Sequence, residues 1–221
     1  MKVRSLLYLL LVLQVACSRQ IDTAKEALEA QIATKRADIE YREIGKFAGG
    51  VVCGEFSDFD PHEGRSDFKR FLYRAGRAYE RPSDDDWAIF CSDDPAAQLY
   101  ARLGIGPYTT DNASLHKVHA DLQKVYSALE AFRRATKGIP GMSTGLGALT
   151  DEESPHGPYL EQIPLDPWDR PYVYDSKVLS FGTASGYKLY TLGADRRVGG
   201  TGENADIGLD HLKYLDHIAG L

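Results

Sequence analysis

The chain has 221 residues, enough for one large domain or two small ones. It is 43% hydrophobic and 26% charged, ordinary globular usage that excludes wholesale disorder. Lys and Arg number 26 against 32 Asp and Glu, a formal charge of −6. No basic stripe interrupts that balance, so no nucleic-acid partner is expected. Three cysteines are too few for a disulfide-dense mini-protein or an all-cysteine zinc site.

The chain opens with Lys2 and Arg4, an apolar run over Leu6–Val15, and then Ala16-Cys17. Ten or so apolar residues are too few for a helix that spans a bilayer core of ~30 Å. A basic end, a short apolar core and a small residue before the break read as a cleaved export signal over residues 1–16. Val15-Ala16-Cys17 resembles the lipobox of bacterial lipoproteins, in which the new N-terminal cysteine carries the acyl chains; Gln14 stands where that family usually has Leu. The alternative is an ordinary signal that happens to end near a cysteine. The resemblance implies lipidation at Cys17, anchorage facing the periplasm and, with Ser18 rather than Asp next, sorting to the outer membrane.

In an oxidising compartment the remaining pair, Cys53 and Cys91, is expected to form a disulfide, two buried free thiols being the other option. Residues 20–38 carry Ile21, Ala24, Leu28 and Ile32 at helical spacing. The segment 17–40 is therefore read as a helical tether, or as a helix packing onto the module C-terminal to it. Short runs rich in β-formers come next, at Tyr41–Phe47, Val51–Phe56, Phe68–Arg74 and Trp87–Cys91. Asp58–Ser66 and the acidic cluster Asp84-Asp85-Asp86 read as loops between them, and Pro95–Leu103 as a short helix ending at Gly104. Residues 41–106 thus form a small disulfide-stapled α+β module.

After the turn-rich Gly104–Asn112, residues 112–221 form the second domain. Leu115, Val118, Leu122, Val125, Leu129 and Phe132 recur at spacings of three and four, one stripe of a long amphipathic helix. Asp111, Asn112 or Ser114 can cap its start, and Gly138 and Pro140 stop it. Two short aromatic strands, Tyr172–Tyr174 and Tyr187–Tyr190, supply the sheet this stripe needs.

Three motifs in this half resemble one family. Ser127–Phe132 with Gly138-Ile139-Pro140 and Thr144–Leu149, then Tyr159-Leu160 through Asp166-Pro167-Trp168 to Pro171-Tyr172, then Leu192–Asp195 with Gly199, Gly200, Gly202 and Ala205–Gly208, keep the order found in major pseudopilins of type II secretion. The resemblance covers roughly residues 115–210. It implies a pilin-like head, a long helix packed on a short antiparallel sheet with a Gly-rich C-terminal loop, so the fold class is α+β. It also implies a structural protein that works with secretion machinery, and a bound Ca²⁺. The implied ligands are the carbonyl of Leu192, the side chains of Asp195 and Asp206 and a carbonyl near Gly200, with Glu203 and Asn204 as spare oxygen donors. Such a turn suits a hard cation, which takes 6–8 oxygens at roughly 2.3–2.6 Å; a metal-free glycine turn is the alternative. Arg196 stands where the family usually carries Gly, and Ala205 where some members carry a second Asp. In the Asp166–Tyr172 run, Asp166 and Pro167 read as turn formers and Trp168 as a core plug between helix and sheet.

Pseudopilins begin with a short basic leader, a Gly-Phe-type cleavage site and an apolar first half of the helix. None of these is expected here, where a lipoprotein signal and an extra module precede the helix. Enzymatic readings are weaker. His116 and His119 share a helix face, but with no Glu-x-x-His context they read as a solvated or partly packed face. His211 and His217 sit in an amphipathic C-terminal helix, and no Gly-x-Ser-x-Gly elbow, phosphate loop or dinucleotide fingerprint is present. The sequence therefore points to a non-enzymatic, lipid-anchored envelope protein with a calcium-binding head serving secretion. The alternative is a periplasmic module that recognises an envelope component through residues 41–106, with a hydrolase as the least favoured reading.

Overall fold

A computed structural model describes residues 19–32, 37–176 and 186–221. The export signal and Cys17 lie outside the described residues. The chain divides into two compact units, with the division between Gln98 and Leu99.

In the first unit, helix α1 (residues 19–32) precedes an antiparallel sheet of β1 (Ala37–Phe47), β2 (Val51–Asp60), β3 (Gly64–Arg65), β4 (Lys69–Arg74) and β5 (Arg77–Glu80). The strand order is β1-β2-β4-β5, with β3 pairing β2. Ala24, Leu28 and Ile32 of α1 are buried against Val52, Phe56, Phe71 and Ala78. Of the two options open for the 17–40 segment, the described part packs as a core helix, and residues 37–40 already belong to β1. Successive side chains of a strand alternate in face, so Cys53, next to Val52, turns to the other side of β2. There it bonds Cys91.

Cys91 does not sit in a strand. Asp84–Phe90 is helix α2, and Cys91 caps its C-terminus. Ser83 caps the N-terminus, its Oγ accepting from the Asp86 amide at 3.1 Å, and the three acids occupy the first turn, where they complement the helix dipole. The acidic cluster is thus a helix start rather than a loop. On the sheet face that carries Cys53, guanidinium groups cover aromatic rings: Arg70 lies 5.0 Å from the Trp87 ring and Arg74 4.3 Å from that of Phe90.

Helix α3 (Pro95–Leu103) contains the division between the units. The second unit is built on helix α4 (Ala113–Thr136), capped by Asn112, whose Oδ1 accepts from the Leu115 amide at 3.1 Å, and closed by Lys137 in the left-handed region. Leu115, Val118, Leu122, Val125 and Leu129 are all buried, each such side chain contributing about 1.5–3 kcal/mol. They pack toward a three-stranded antiparallel sheet of β6 (Val173–Asp175), β7 (Lys188–Thr191) and β8 (Ile207–Gly208), in that order, and toward helix α5 (Leu209–Ala219). This is the pilin-like α+β arrangement.

The two histidines of α4 are not a metal pair. His119 is 6% exposed, not solvated. Its Nδ1 meets the Tyr108 hydroxyl at 3.1 Å and its Nε2 meets Asp216 Oδ1 at 2.7 Å, joining α4 to α5. His116 Nε2 contacts the Thr109 carbonyl instead.

Candidate functional site in the glycine-rich closing loop

Residues 192–206 join β7 to β8, so both ends of the loop are fixed by one sheet. Its two arms are tied by a hydrogen bond from the Ala194 amide to the Glu203 carbonyl, 2.7 Å. The Gly202 amide donates to the Gly104 carbonyl, also at 2.7 Å, which anchors the loop to the turn before α4. Gly193 and Gly200, with φ of +61° and +97°, press against the backbone of Asn204. A Cβ on Gly193 would stand 2.5 Å from Asn204 C, and one on Gly200 2.4 Å from Asn204 O. No other residue fits this close backbone approach.

The expected ligand residues fall along this turn. Leu192 is half-buried just past β7, while Asp195 and Gly200 are exposed. Glu203 lies in the short 3-10 turn Gly202–Asn204, and Asp206 is half-buried just before β8. Asp195 Oδ1 accepts from the Arg197 amide at 3.0 Å, and Asp206 Oδ2 from the Gly199 amide at 2.9 Å. The second oxygen of Asp206, Oδ1, is buried with no hydrogen-bond partner among the described residues. Among those residues no group of three or more His, Cys, Asp or Glu gathers as a metal cluster. A cation here would draw on main-chain carbonyls as much as on carboxylates, the donor mix a hard cation accepts.

Arg196 takes the place of glycine but keeps a glycine-like backbone, at φ +59°. Left-handed backbone costs a side-chain-bearing residue roughly 1–2 kcal/mol. Arg196→Gly relieves that strain and loses part of the gain to the greater freedom of an unfolded glycine. We expect it to raise stability by about 0.5–1 kcal/mol, read as a higher urea midpoint with unchanged slope.

Asp166 holds its turn backbone as expected, but sequence reasoning missed that it and Arg170 also hold the closing loop from behind. Asp166 is 2% exposed, deep under the Asp166–Tyr172 turn. Its Oδ1 accepts from the Trp168 and Arg170 amides, both at 3.0 Å, and its Oδ2 from the Thr191 hydroxyl of β7 at 2.7 Å. The Arg170 guanidinium pairs with the same carboxylate at 3.3 Å. Its Nη2 donates to the Gly193 carbonyl and its Nη1 to that of Ala194 at 3.5 Å. The available signal was an Asp and an Arg four apart inside a proline-bracketed turn. Trp168 is half-buried rather than a core plug. It helps to line a crevice with Leu115, Gly202 and Ile207, and Arg170 lies 5.2 Å from its ring.

Beside the loop opens a cavity of about 270 Å³, walled by Tyr187, Leu189, Tyr190, Val198, Asp206 and His211 among others. His211 Nδ1 accepts from the Gly208 amide at 3.1 Å. Burial pushes this imidazole below its ordinary range, although Asp210 and Asp206 pull the other way. A histidine held neutral in the fold costs stability once the unfolded chain takes up its proton. Its contribution is therefore complete above about pH 6.5 and declines as the pH falls below that value. His211→Asn should flatten the loss of urea stability between pH 7.5 and 5.5; an identical pH slope would contradict this.

A long helix over a short antiparallel sheet, closed by this pinned glycine loop, defines a pilin-like head. The family model described as Type II secretion system (T2SS), protein G, matches residues 108–210. Type II secretion system core protein G of Pseudomonas aeruginosa is 32% identical over 106 residues, covering 44% of this chain and 72% of that protein. The protein of the same description from Vibrio cholerae is 33% identical over 105 residues, covering 44% and 69%. That from Aeromonas hydrophila is 27% identical over 111 residues, covering 47% and 73%. The chain belongs to the type II secretion system protein G family.

Proposed function

We propose that this chain is a non-catalytic envelope protein, lipid-anchored through Cys17, whose protein G head serves secretion as a structural or accessory part and holds Ca²⁺ in its closing loop. Membership of the protein G family supports the secretion role and the absence of catalysis. The same kinship supports an envelope location, and Ser18 after the lipobox-like Val15-Ala16-Cys17 supports sorting to the outer membrane. Among the described residues no helix is long and apolar enough to cross a membrane. The first unit, outside the family match, is read as an addition to the head.

The observation that carries the calcium reading is the buried, unpartnered Oδ1 of Asp206. A buried carboxylate oxygen without a donor costs at least about 1–3 kcal/mol, a cost that a bound cation removes. The carbonyls of Leu192 and Gly200 and the carboxylates of Asp195, Asp206 and Glu203 supply the hard oxygens. When bound, the ion neutralises these acids and cross-braces the loop; it takes part in no reaction. Arg196 and Arg197 are exposed, so solvent screens their charge from the site.

Thermal unfolding of the full-length protein in detergent tests the metal. At a hundredfold excess over Kd, calcium should add about 2.7 kcal/mol of stability, and Asp195→Ala should remove the gain. No shift with either Ca²⁺ or EGTA contradicts it. Palmitate labelling that disappears in Cys17→Ser tests the anchor; an unlabelled wild-type protein contradicts that part.

A further inference from the structure

We propose that Arg170 is the positioning residue of the calcium loop, an inference that rests on the calcium reading above. One planar guanidinium donates to two consecutive carbonyls, those of Gly193 and Ala194. These two peptide units lie between the Leu192 carbonyl and the Asp195 side chain, two of the expected donors. Fixing them fixes the direction in which the donors on either side point. Arg170 is itself held. Its side chain is 13% exposed, its charge is matched by Asp166, and Asp166 is tied in turn to Thr191 on the strand entering the loop. An arginine fork with defined planar geometry suits this task better than the point charge of a lysine. Because Asp166 balances the guanidinium, a positive group can stand behind a cation loop without repelling its ion.

The expected effect is on affinity. Groups that orient metal ligands without touching the metal typically change binding by 10–100-fold when removed, because a loop ordered in advance loses less freedom on binding. The experiment is a calorimetric titration of CaCl₂ into the full-length protein in detergent, for the wild type, Arg170→Ala and Arg170→Lys. Hydrogen exchange of the metal-free proteins accompanies it. We expect Arg170→Ala to weaken calcium binding at least tenfold and Arg170→Lys to recover part of the loss. The amides of Ala194 and Asp195 should exchange faster in Arg170→Ala, while those of α4 stay unchanged. A purely structural role would lower the melting temperature and leave the affinity of the folded protein intact. A calcium affinity within twofold of wild type in Arg170→Ala overturns the proposal and leaves the calcium reading standing. If that variant does not fold, wild-type affinity in Arg170→Lys overturns it. A wild-type protein that takes up no calcium overturns both.

Discussion

Asp166→Ala should lower the stability of the second unit by about 3–5 kcal/mol, the cost of leaving one member of a buried ion pair alone. The carboxylate is almost fully buried and serves two backbone amides, the Thr191 hydroxyl and the Arg170 guanidinium at once. Alanine leaves the guanidinium largely buried without its counter-ion, and the Trp168 and Arg170 amides lose the one oxygen they share. At this domain size the loss corresponds to roughly 10–20 °C in melting temperature. Thermal unfolding followed by circular dichroism reads it directly. A drop of less than about 1 kcal/mol, the worth of an ordinary exposed pair, would show that the turn does not depend on this carboxylate.

The second large effect belongs to the disulfide. Cys53 and Cys91 are 38 residues apart, and closing a loop of that length is worth about 4 kcal/mol in the chain-entropy model. Helix α2 has seven residues, too few to persist in water without tertiary support. The double variant Cys53→Ala/Cys91→Ala should therefore destabilise the first unit by about 2–5 kcal/mol. It should also leave the α2 amides exchanging ahead of those of β2 and β4. Urea unfolding and hydrogen exchange, each compared with the oxidised wild type, measure the two effects. An unchanged urea midpoint would contradict the disulfide's stabilising role.

How far the sequence reached depended on the range of the interactions. The α4 stripe was legible because helical periodicity and the Asn112 cap are local signals. Trp87–Cys91 was not, because five apolar residues read equally well as a buried strand or a helix turn. The deciding signal, Ser83 followed by three acids, lay just upstream. The polar contacts of His119 escaped because Asp216 is 97 residues away. In the closing loop the glycines and acids were visible. The reason Gly193 and Gly200 must be glycine was not, since it is the backbone of Asn204 folding between them. Arg170 escaped for the same reason, its carbonyl partners lying 23 and 24 residues further along.

The proposed role of the closing loop rests on a cation held by its carbonyls and acids, and counting the ion is the most direct test. Equilibrium dialysis of the purified full-length protein against ⁴⁵Ca²⁺ should return one ion per chain for the wild type. It should return none for Asp206→Ala, with the helical circular dichroism of that variant preserved. A wild-type protein that retains no calcium, or an Asp206→Ala variant that retains as much as wild type, would contradict the account.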